Sequence, residues 1–93
     1  MPEIAVEKVG EEPLEYKVQL TEDEEVVGEY SVVVSEEDYE RYGDDVEPHE
    51  LVKATISFLL SREEPEMILE EFKLHDVERH FPEYPDRVHD YMA

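Results

Sequence analysis

The chain has 93 residues, 28 of them Asp or Glu and 8 Lys or Arg, which gives a formal charge of −20 at neutral pH. That length accommodates one domain, 1–93, and the absence of cysteine excludes a disulfide framework, a zinc finger and a thiol nucleophile. No apolar run approaches a membrane span and no secretory leader pattern opens the chain, so a cytoplasmic, soluble protein is expected, with neither nucleic acid nor membrane as partner for so acidic a surface.

The first apolar positions, Ile4, Val6 and Val9, mark residues 3–9 as a strand candidate, so that 1–12 is either an added strand or a tail. Gly10 to Pro13 punctuates a turn. Over 14–21, Leu14, Tyr16, Val18 and Leu20 alternate with Glu15, Lys17, Gln19 and Thr21, the period-two pattern of a half-buried strand. Glu22 to Glu25 is a turn of four acids. The alternation resumes over 26–34, with Val26, Tyr30, Val32 and Val34 on one face and Gly28 marking a bulge, so 14–34 reads as an antiparallel hairpin.

Ser35 then heads the sequence Ser-Glu-Glu-Asp, a cap with acids in the first helical turn, and Tyr39 and Tyr42 point inward before Gly43 ends the helix. Pro48 opens the main helix, 48–62, whose Leu51, Val52, Ile56, Phe58, Leu59 and Leu60 form a broad apolar face. Pro65 predicts another helix over 65–73, with Met67, Ile68, Leu69 and Phe72 available for burial and Leu74 as the break. Residues 76–81 give a further turn or two of helix, stopped by Pro82, and Pro85 starts a last short helix through Val88 and Tyr91. The fold class expected is α+β: a two- or three-stranded antiparallel sheet followed by about four helices, the second packed on the sheet.

Candidate chemistry is sparse. The pairs of adjacent acids (Glu24 and Glu25, Glu63 and Glu64, Glu70 and Glu71) are what 28 acids produce by chance. No phosphate loop, nucleophile elbow, dinucleotide fingerprint or calcium-loop spacing occurs, so no catalytic residue and no cofactor are assigned. Asp76 and His80 are four apart and share a helix face, and His75 sits at a helix N-cap position four residues after Glu71; His75, Asp76 and His80 are therefore the weak candidates for a metal site or a small enzyme's centre. The stretch from Arg79 to Pro85 packs two aromatics and two prolines into a rigid segment, which makes Phe81 and Tyr84 either core-closing residues or a docking patch.

With 40% apolar and 10% aromatic residues in clear patterns, disorder does not account for the charge, and the acids recur in every segment, whereas a nucleic-acid mimic needs one organised stripe. The strings Phe58-Leu59-Leu60-Ser61-Arg62-Glu63, Phe72-Lys73-Leu74 and Phe81-Pro82-Glu83-Tyr84 resemble a family of small uncharacterised acidic proteins of halophilic archaea and some bacteria, over roughly residues 14–85. That resemblance implies a halophilic source and carries no activity with it. The function expected is a non-enzymatic interaction or regulatory module with a protein partner and a possible homodimer through a sheet edge or the aromatic end; a metal-binding protein or enzyme using His75, Asp76 and His80, and an acidic nucleic-acid mimic, are the alternatives.

Overall fold

A computed structural model describes residues 3–43 and 45–92. Its sheet has four strands in the order of the chain: β1 (Glu3–Glu11), β2 (Leu14–Glu22), β3 (Glu25–Val34) and β4 (Glu71–Lys73). The first three form an antiparallel meander, and β4 lies parallel to β3, with Val32 opposite Phe72. The sheet is therefore mixed and four-stranded, not two- or three-stranded and antiparallel. Residues 3–11 are an edge strand and not a tail.

The crossover from β3 to β4 carries α1 (Glu36–Tyr42) and α2 (Pro48–Leu60), and α3 (Leu74–His80) and α4 (Tyr84–Arg87) follow β4. The helices cover one face of the sheet, as a parallel connection requires. Tyr16, Val18, Leu20, Tyr30, Val32 and Val34 meet Leu51, Val52, Ile56, Phe58 and Leu59 of α2 in a single core that also takes Phe72, Val77, Tyr84 and Val88. The opposite face carries Glu7, Lys17, Ser31 and Glu71 in one cross-strand row and faces solvent.

The β2–β3 turn is a two-residue hairpin in which Asp23 and Glu24 both have positive φ, 52° and 67°. That conformation matches the twist of the strands and favours Asn or Gly. Glu24 holds it with a Cβ that crowds its own carbonyl. Replacing Glu24 with Gly is expected to raise stability by about 0.5–1 kcal/mol, read as a higher urea midpoint with an unchanged slope.

Just after the turn, Leu20 faces Gly28 while Thr21 faces Val26, so Val27 is the extra residue of a bulge. The bulge leaves Val26 53% exposed, where unbroken alternation placed it in the core. Gly28 has a separate reason: a Cβ there would stand 2.3 Å from the Tyr30 hydroxyl, because the Tyr30 ring folds over it on the way to donate to the Pro65 carbonyl at 2.6 Å. Strand glycines covered by an aromatic ring recover packing that the missing side chain gives up.

Ser35 caps α1 as expected, its hydroxyl accepting from the Asp38 amide at 3.2 Å. Gly43 ends this helix in an extended conformation, and not in the left-handed one that usually selects glycine there. Space selects it instead, since a Cβ would lie 2.9 Å from Met92 Cε and 3.1 Å from a Leu51 methyl.

The helix expected over 65–73 does not form. Pro65–Met67 is one turn of 3-10 helix, and the chain then runs extended into β4. Ile68 and Phe72 are buried while Met67 and Leu69 are 65% and 56% exposed. Buried positions four apart fit a helix face, which is why periodicity pointed there. Pairing with β3 prevails: the Ser31 amide donates to the Glu70 carbonyl at 2.7 Å.

Every buried side-chain nitrogen and oxygen among the described residues has a partner. In the centre, the Thr55 hydroxyl donates its one proton to the Leu51 carbonyl at 2.8 Å and so accepts from the Tyr84 hydroxyl at 2.7 Å. Thr55→Val preserves volume but leaves a buried phenol without an acceptor, at an expected cost of about 1–3 kcal/mol. In the Thr55→Val/Tyr84→Phe double variant neither group is orphaned, so most of that loss should return, and chemical denaturation of the three variants measures the coupling directly.

Candidate functional site

The residues singled out in the sequence gather around α3. This helix starts at Leu74, two residues earlier than the pattern predicts, and its cap is supplied by Asp76, whose carboxylate accepts from the Lys73 amide at 3.0 Å. His75 is thus inside the first turn and not at the N-cap.

One side of α3 meets α1. His75 Nδ1 lies 3.0 Å from the carboxylate of Asp38, the one acidic residue among those described that is buried, at 5% exposure. One turn on, Glu78 accepts from the Tyr42 hydroxyl at 2.6 Å, and the Arg41 guanidinium stands 3.0 Å away. Burial, reinforced by the hydrogen bond to Glu78 and by its negative charge, holds the Tyr42 hydroxyl far above the ordinary tyrosine range. Burial does the same to Tyr84, whose ring centroid is 4.9 Å from that of Tyr42. This seam joins α1 to α3 through matched partners, with the Ser35 hydroxyl held as the helix cap by the Asp38 amide.

The other side of α3 borders a groove. Its floor is Leu59 from the last turn of α2, Ile68, Phe72 of β4 and Val77; its rim is Glu63, Leu69, Asp76, His80 and Phe81. The recess is shallow, with a cavity volume of about 30 Å³, far less than a drug-sized ligand needs. Phe81 forms one end, with its ring edge-on to Phe58 at 5.8 Å between centroids. Leu69 projects from the rim, held there by the extended backbone that leads into β4.

Of the predicted candidates, Asp76, His80 and Phe81 therefore come together around one groove. His75 does not line it: its Nδ1 faces Asp38, and its Nε2 is 3.8 Å from Asp76. Tyr84 is fully buried in the core, so in this structure the 79–85 aromatics divide, Tyr84 closing the interior and Phe81 half-exposed. No group of three His, Asp or Glu side chains converges as a metal site would require among the described residues.

Two parts of this region had no sequence signal. Asp38 reads as an ordinary first-turn acid, and only the docking of α3 on α1 makes it the partner of His75. Leu69 reads as a buried helix residue until β4 forms. Both depend on contacts between segments about 30 or more residues apart, which local periodicity does not record. Along the described chain, no helix is long and apolar enough to cross a membrane. Comparison with models of protein families, with curated proteins and with solved structures gave no match.

Proposed function

We propose that the chain is a non-enzymatic interaction module whose docking site is the groove beside α3, on a surface adapted to concentrated electrolyte. The observation that carries this reading is the pairing of an apolar floor, from Leu59 to Val77, with a large apolar side chain, Leu69, left in solvent on its rim. Exposed aliphatic residues are ordinary singly; here Leu69 stands on the rim of an apolar recess, and Met67, two residues earlier in the chain, is exposed as well. Against an enzyme stands the chemistry of the region: the described hydroxyls around the His75–Asp38 pair are engaged, Ser35 by the Asp38 amide, Tyr42 by Glu78 and Tyr84 by Thr55.

The test is a photoreactive phenylalanine analogue placed at position 69 in the native host, with the same analogue at position 27 as control. Val27 is exposed in the β3 bulge, and no residue of that strand segment lines the groove. The expected result is one discrete adduct from position 69, none from position 27, and loss of that adduct when the exposed Met67 is changed to Glu. Equal labelling from both positions, or none from 69, rejects the reading.

A further inference from the structure

We draw no further inference here: the strongest candidate, the outer edge of the nine-residue strand β1, is interrupted by a bulge at Val9 and carries Glu3, Glu7 and Glu11, and nothing in the structure shows what covers it.

Discussion

The thermal midpoint of this protein should rise by roughly 20–40 °C between 0.15 M and 1 M KCl. Spread over 6083 Å² of surface, the 28 acidic side chains amount to one per 6083/28, or about 217 Å². The radius of gyration is 12.1 Å, so the folded charge occupies a sphere of about 16 Å radius, against about 30 Å for the unfolded chain. Concentrating a charge of −20 in this way costs on the order of 11 kcal/mol at 0.15 M salt and about 5 kcal/mol at 1 M, and the difference, on the order of 5 kcal/mol, is the quantity that matters. It is comparable to the whole stability of a small domain, about 5–15 kcal/mol. Ion pairs do little to offset it. Lys8–Glu11 and Arg87–Asp90 are exposed pairs three residues apart in the chain, of a kind worth well under 1 kcal/mol each. Calorimetry or circular dichroism in a KCl series checks the expectation. A midpoint that moves by only a few degrees would remove both the self-repulsion argument and the proposed adaptation to concentrated electrolyte.

The second large effect lies at the alkaline end. Tyr16, Tyr30, Tyr42 and Tyr84 are each less than 5% exposed, and burial, in every case the leading cause, raises their pKa above the usual value of 10.0. Below pH 10 the four phenols are protonated in both states, and the stability they allow is fully present. Above it the unfolded chain releases protons that the folded one keeps, so the unfolded state binds fewer and stability falls as pH rises. Each such group contributes at most about 1.4 kcal/mol per pH unit, so Tyr42 and Tyr84, the two raised furthest, together remove at most about 3 kcal/mol per unit, and Tyr16 and Tyr30 act in the same direction. Stability should therefore fall steeply above pH 10, even in molar KCl, where the repulsion term is smallest. The measurement is a pH titration that follows tyrosinate absorbance and the far-ultraviolet signal together. The two should change in one cooperative step. A gradual rise in tyrosinate absorbance around pH 10, with the far-ultraviolet signal intact, would mean that these hydroxyls are open to solvent.

What the candidate site owes to sequence is limited and specific. The i, i+4 spacing of Asp76 and His80 put both on one face of α3, and that face does border the groove. Phe81 next to Pro82 marked an end where the chain turns, and it lies there. Nothing local distinguished Phe81 from Tyr84, which share the same aromatic-proline stretch yet differ between half-exposed and fully buried. The difference arises because Tyr84 finds Thr55 on α2 as an acceptor and Tyr42 as a ring neighbour, whereas Phe81 packs on the margin of the core, against the edge of Phe58 and beside the groove.

The sequence by itself determined the elements whose signal is local and repeated. Alternation over nine or ten residues made β2 and β3, a proline and a broad apolar stripe made α2, and Ser35 with the acids after it began α1. Charge, too, is a property of composition alone, and with it the expected dependence on salt. Tertiary structure decided what local free energy leaves nearly balanced. Residues 68–73 carry too short a pattern to choose between helix and strand, and the hydrogen bonds of β3 choose for them. The bulge at Val27 reverses the facing of Val26, because one extra residue in a period of two exchanges the faces. Gly43 is selected by the approach of Leu51 and Met92, and Asp38 gains its partner only when α3 packs on α1. The groove itself is a product of that same packing, since its walls come from four segments that meet only in the folded chain.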